Sequence, residues 1–266
     1  MVQPIVVVDS FTDVPFAGNP AAVCVLAAAT TEAWMQSVAA EMNLSETAFV
    51  VPRPDGDHDL RWFTPSTEAD LCGHATLASA HLLGGDSRFH TRSGLLECRA
   101  VGEGTIEMSF PALVVTPIAD PPDAARALGL APDRVVAVYG NEGGWVLIEL
   151  ATAADVRAAT PVLSALQDLG GFVTVVAFPG EDESVDSVCR VFVPGVGIDE
   201  DPVTGSAHCL IGPLLAARTG RSEFVGEQAS ARGGIVGMRV EGDRVILSGR
   251  AVTVLEGTLR EDPPPA

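Results

Sequence analysis

The chain has 266 residues, 47% of them hydrophobic, a formal charge of −19 and a pI near 4.4. So much apolar material argues against disorder, and a surface this acidic, without clustered cations, excludes nucleic acid as a partner. All 16 basic residues are arginine, and the absence of lysine excludes a Schiff-base enzyme, a pyridoxal-phosphate anchor and a phosphate-loop nucleotide site.

The N-terminus, MVQPIVVVDS, has neither a basic n-region nor a long apolar h-region, and runs such as AAVCVLAAA are too short to span a bilayer. Five widely spaced cysteines, an odd number without a CxxC pair, suit free thiols in a reducing compartment. A cytoplasmic protein with no membrane partner is expected.

In chain order, IVVVDSF and AAVCVL read as strands either side of the turn-rich DVPFAGNP. TTEAWMQSVAAEMN reads as a helix, with Thr31 as N-cap and Trp34, Val38 and Met42 on one face. LSETAFVV and the strand DLRWFT follow. CGHATLASAHLLG reads as an apolar helix closed at Gly84-Gly85, and LLECRAVG with GTIEMSF as a hairpin around Gly102 and Gly104. The proline-rich PALVVTPIADPPD places a boundary near residue 115.

Beyond it come a helix (DAARALGL), strands RVVAVYG and GWVLIEL, a helix (ATAADVRAAT) and strands FVTVVAF and SVCRVFV. A glycine-rich loop, PGVGIDEDPVTG, leads into the helix SAHCLIGPLLAART, and two strand segments, GMRVEGDRVILSG and AVTVLEGTL, end the series. Many strands and few helices, without GxGxxG, predict a mixed α/β or α+β fold that is not a nucleotide-binding sheet.

The halves echo one another. RWFTP leads through a loop to CGHATLASAHLLG, and RVFVP through a longer loop to TGSAHCLIGPLLA. The pattern predicts two similar lobes related by a pseudo-twofold, each presenting a helix start to a shared cleft. Cys72, Gly73 and His74 stand at one start; Asp201, Gly205 and Ser206 stand at the other. Open backbone N–H groups there suit a carboxylate, by about 0.3–1 kcal/mol for each exposed helix end.

DSFTDVPFAGNPAAV, NLSETAFV, FTPSTEADLCGHATLA and EDPVTGSAH, in that order, resemble the phenazine-biosynthesis isomerase-like (PhzF-like) family of the diaminopimelate-epimerase-like superfamily. The resemblance implies an α+β fold of two lobes, each a β-barrel wrapped around a central helix. The N-terminal lobe would span 1–115, completed by a strand near 250–258, and the C-terminal lobe 116–266. It also implies a homodimer and a cofactor-free isomerase working by proton transfer, with a small carboxylic acid as the expected substrate; the lack of metal-ligand spacing and of HExxH predicts no metal site. The family's catalytic residues fall on Glu46, His74 and Asp201. The family's motif glycine and serine fall on Gly73 and Ser206, expected with their neighbours Gly205 and Cys72 to contact substrate, although phenazine-pathway members carry alanine where this chain has Cys72.

Residue chemistry agrees with that reading, since a partly desolvated carboxylate is suited to removing a proton from carbon and returning it. Glu46 has no acidic counterpart in the parallel segment LQDLGGFVTVV, which favours a single base. Cys72 resembles the cysteines of two-thiol epimerases, but its counterpart reads as Pro202-Val203, so a two-thiol racemase is not expected. Cys72 as a packing thiol, Asp201 as a cap and Ser206 as a first-turn residue are the plainer alternatives. Arg61 and Arg190 read as structural ion-pair donors, and His81 and His208 as structural. His58, His90 and the cysteines show no metal spacing. A one-base racemase or dehydratase, or a binding protein that keeps the fold, are the other functions open to this sequence.

Overall fold

The computed structural model describes residues 2–119, 124–178, 184–196 and 198–265. Residues 120–123 of the proline-rich stretch and residue 197 of the glycine-rich loop lie outside them. Contacts group the chain into two units, Met1–Phe110 with Ser248–Ala266, and Pro111–Leu247.

The first unit opens with β1 (Gln3–Ser10) and β2 (Asn19–Val25). Helix α1 (Glu32–Met42) starts at Thr31, whose hydroxyl accepts from the Trp34 N–H, and stops at Asn43 in the left-handed region. β3 (Glu46–Pro52), β4 (His58–Phe63) and the short β5 (Glu68–Ala69) lead into α2 (Gly73–Leu82). β6 (Ser87–Thr91), β7 (Gly94–Gly102) and β8 (Thr105–Pro111) follow. The β7–β8 turn carries Glu103 and Gly104 at positive φ, as the two flanking glycines lead one to expect.

β2 and β3 run parallel because α1 carries the chain across between them, whereas β3–β4 and β1–β2 are antiparallel. The last strand of the chain pairs along the whole of β1, from Gln3 opposite Leu259 to Ser10 opposite Ala251. These strands pack on α2, which is buried from His74 through Ala80. A helix apolar all round suits enclosure on every side. The outer face of the sheet is covered by α1, where Trp34, Met35 and Val38 pack with Ile5, Cys24, Phe49 and Phe63.

The second unit repeats the plan. β9 (Thr116–Pro117), α3 (Ala124–Ala127), β10 (Val135–Gly140) and β11 (Trp145–Leu150) are followed by α4 (Ala153–Ala158) and α5 (Leu163–Leu169). β12 (Phe172–Ala177) lies parallel to β11, and β13 (Ser187–Val193) antiparallel to β12. β14 (Ile198–Asp201) leads to the long buried helix α6 (Gly205–Thr219), which packs on β15 (Glu223–Gln228) and β16 (Gly234–Glu241). β17 (Arg244–Gly249) and β18 (Ala251–Leu259) finish the order. The fold is α+β, with strands wrapped around one central helix in each unit. No helix among the described residues is long and apolar enough to cross a membrane.

Several elements depart from the sequence reading, α5 and β14 among them. GMRVEGDRVILSG is two strands turning at Gly242, not one; SEFVGEQ is the strand β15; and SRFHT is the strand β6. The internal echo holds at atomic detail. Arg61 grips Glu68 at 2.7 and 2.6 Å and lies 5.1 Å over the Phe63 ring; Arg190 grips Glu200 at 2.8 and 2.9 Å and lies 5.0 Å over Phe192. Both arginines are ion-pair donors that tie a strand to the short strand ahead of its helix. Glu200 is therefore a structural partner, and its neighbour Asp201 faces a different task.

Candidate active site

β3 begins at Glu46 and α2 at Gly73, and their first residues meet. Glu46 Oε2 lies 3.2 Å from His74 Nε2, with the carboxylate 15% exposed and the imidazole 6%. The pair is close enough for strong electrostatic contact but lacks hydrogen-bond alignment at Nε2. Such contacts in ligand-free sites commonly tighten when substrate binds. On the other edge of the ring, the Asn19 amide nitrogen is 3.2 Å from Nδ1 and Cys72 Sγ is 3.6 Å away. With the amide as donor, Nδ1 accepts and the ring proton sits on Nε2, facing Glu46.

The backbone holds this arrangement from beneath. Ser10 Oγ donates to the His74 carbonyl at 2.8 Å, tying the start of α2 to the end of β1. Cys72 is the N-cap in extended conformation and makes no side-chain cap bond, so its side chain does not close off the first-turn N–H groups. Burial pushes the His74 imidazole down to about 3, so the ring is neutral at neutral pH. It serves as a polar neighbour of Glu46 and not as a cation.

In the second unit, Asp201, Gly205 and Ser206 gather at the start of α6. Asp201 Oδ2 accepts the Thr204 hydroxyl at 2.5 Å, and Gln228 bonds both the Thr204 N–H, at 2.8 Å, and the Asp201 carbonyl, at 2.7 Å. Thr204 is the N-cap residue of α6, as Cys72 is of α2. Counting back from each helix, Cys72 corresponds to Thr204, His74 to Ser206 and Glu68 to Glu200. The expectation that Pro202-Val203 stands opposite Cys72 is thereby corrected. The three extra residues of the longer loop fall between Phe192 and Glu200, ahead of the motif. The position matching Glu46 is Phe172, because Thr47 pairs with Phe63 as Val173 pairs with Phe192.

Asn19, Ser10 and Gln228 were not singled out in the sequence. Asn19 had one cue: an amide between glycine and proline at the end of a turn, where a buried side chain must find partners. The structural histidines lie where expected. His81 meets Thr253 Oγ1 at 3.2 Å, and His208, fully buried, bonds the Thr204 carbonyl at 2.9 Å through Nδ1. All five cysteines are buried and outside any disulfide; burial raises Cys24, Cys98 and Cys209 to about 12, which makes them inert. Glu46, Cys72 and His74 can bring one donor atom each within 4.8 Å of one another, as can Asp55, Asp57 and His90 on the surface.

Burial of His208 has a measurable consequence. Its folded value is pushed down to about 4 by desolvation, against 6.5 for an exposed ring, and the Thr204 carbonyl bond offsets only part of this. Between those values the unfolded chain binds the extra proton, so stability present above pH 6.5 is lost on acidification. The contribution at pH 5 is about 2 kcal/mol. Urea unfolding at pH 7.5 and pH 5 should show the wild type losing about that much more than His208→Gln. Equal losses would place the ring in solvent.

Residues 8–257 match the family described as phenazine biosynthesis-like protein. An uncharacterized isomerase of Halalkalibacterium halodurans is 44% identical, with 97% of this chain and 99% of that one covered. A second uncharacterized isomerase, from Pseudomonas aeruginosa, is also 44% identical, over 95% and 96% of the two chains. The crystal structure of a PhzF-family protein of Enterococcus faecalis superposes with a TM-score of 0.91 at 38% identity, covering 98% of this chain and 100% of the other. With its motifs, its two strand-wrapped helices and these relatives taken together, the chain belongs to the PhzC-PhzF family of phenazine biosynthesis-like proteins and is an enzyme of the isomerase type.

Proposed function

We propose that the chain is a cofactor-independent isomerase that shifts a proton between two carbons of a small carboxylic acid, with Glu46 as general base and then general acid. The observation that carries this reading is the Glu46–His74 contact at 3.2 Å in the first unit, between two largely buried side chains. The equivalent position in the second unit is Phe172, so the fold does not require an acid there. Glu46 takes the proton from one carbon, the electron pair of that C–H bond passes into the adjacent unsaturated system, and the resulting carboxylic acid returns the proton to the second carbon. Neutral His74, with its proton on Nε2, steadies the carboxylate without quenching it as a fixed cation would.

In the same proposal, the substrate-binding groups are the Gly73 N–H with Cys72 beside it in the first unit, and the Gly205 N–H with the Ser206 hydroxyl in the second, each group suited to a carboxylate. Asp201 handles an amino or hydroxyl proton of the ligand. A cyclic amino or hydroxy acid of secondary metabolism is the substrate class that matches these groups. A homodimer in the cytoplasm is part of this proposal.

A panel of such acids incubated in deuterated water tests the reading. One deuteron incorporated at a new carbon, with configuration elsewhere retained, is the expected result. Scrambled configuration at a single carbon would make the chain a one-base racemase instead, and loss of water would make it a dehydratase. No exchange with any acid of the class would remove the proposal.

A further inference from the structure

We propose that Glu46, Cys72 and His74 form a chelating site for a thiophilic divalent cation of the zinc class, and that occupancy silences the enzyme by withdrawing Glu46 from proton transfer. The silencing half rests on Glu46 being the base; the binding half does not.

The donor set is the first argument. A thiol sulfur, an imidazole nitrogen and a carboxylate oxygen are the three side-chain donors that zinc selects, and calcium or magnesium would not select the sulfur. Their donor atoms come within 4.8 Å of one another, so modest side-chain rotation brings them onto one ion. Three protein ligands leave one tetrahedral position for water or for an oxygen of the substrate acid.

The second argument is the ring itself. His74 is buried, yet its Nε2 makes no aligned hydrogen bond where it points at Glu46. A buried imidazole nitrogen without a satisfied bond is costly to the fold and marks a place where a further group can be accommodated. The Asn19 amide at 3.2 Å from Nδ1 provides the outer support that a metal-bound imidazole needs. By turning over, that amide presents its carbonyl oxygen to an Nδ1–H, so Nε2 is free to ligate while Nδ1 stays bonded.

The third argument is the internal repeat. Phe172, Thr204 and Ser206 stand where Glu46, Cys72 and His74 stand, and the second unit builds the same helix start without a metal-binding set. The three donors are therefore not a requirement of the architecture. They also lie far apart in sequence, 46 against 72 and 74, so no local spacing motif announces them.

Binding forms a metal–sulfur bond and releases the Cys72 thiol proton to solvent. The surface cluster of Asp55, Asp57 and His90 lacks sulfur and is already engaged, with Asp57 at 2.8 Å from His90 and 3.7 Å from Arg88, so sulfur ligation separates the two sites.

Titration of the whole chain with Co²⁺ tests the site. A thiolate-to-cobalt band in the near ultraviolet, saturating at one equivalent and displaced by Zn²⁺, is expected. Cys72→Ser should lose the band, Asp57→Asn should keep it, and Glu46→Gln should keep it with affinity weakened at least about tenfold. The absence of a band in the wild type, or its persistence in Cys72→Ser, overturns the site and leaves the Glu46 proposal standing. A saturated Zn²⁺ site with unchanged proton exchange at carbon overturns the silencing and, with it, the role of Glu46 as base. Exchange abolished by Zn²⁺ and restored by a chelator supports both halves.

Discussion

Replacing Glu46 by glutamine is expected to lower turnover by about 10²–10⁴ while leaving affinity for the acid nearly unchanged. Glutamine has the same shape and keeps a polar group 3.2 Å from His74, so the loss falls on basicity alone. Neighbouring groups are poor substitutes. Burial pushes the His74 imidazole down to about 3, which leaves it a weak base, and the Cys72 sulfur lies by the far edge of that ring. Steady-state kinetics alongside calorimetric binding of an unreactive analogue checks the split between the two effects. Turnover within about threefold of wild type would strip Glu46 of the role.

Gly18→Ala is expected to be the most damaging small substitution near the site. Gly18 has φ of +64°, and a Cβ there would sit 2.2 Å from the Ser10 carbonyl oxygen and 2.6 Å from Thr12 Cγ2. Backbone cannot yield as a flexible side chain can, so clash and left-handed strain each cost about 1–3 kcal/mol. The same turn fixes two supports of His74, Ser10 on its backbone carbonyl and Asn19 on its ring. Loss of stability measured by urea unfolding should therefore be accompanied by loss of turnover under conditions where the variant is folded. A fully stable variant would mean that the turn is not the one described.

Much of this was legible in the sequence because the relevant physics is local. The α1 helix could be read from a four-residue apolar spacing and a threonine cap, and the β7–β8 hairpin from paired glycines that tolerate positive φ. The parallel between RWF and RVF was visible because each arginine serves a strand and a loop a few residues away.

What escaped is set by contacts distant in sequence. β15 carries Gly226 where strand propensity expects bulk, because a Cβ there would lie 2.9 Å from the buried His208 ring. Its pairing with β13 and β16 decides its form. The α5 helix, only seven residues, is too short to show a period.

The site divides the same way. Glu46, Cys72, Gly73 and His74 stood out as motif residues, but their assembly depends on β3 lying beside β2 and on α2 threading through the strands. Asn19 and Gln228 act through tertiary hydrogen bonds that no spacing encodes. Cys72 pairs with Thr204 and not with Pro202-Val203, because each is the N-cap directly before its helix glycine. Only the two helix starts restore the register.

The most direct measurement is proton exchange at the substrate carbon, followed by deuterium washout in wild type and Glu46→Ala, with and without added formate. If the carboxylate at position 46 carries the proton, washout disappears in the variant and returns in proportion to formate. Washout at the wild-type rate in Glu46→Ala without formate would mean that another group removes the proton.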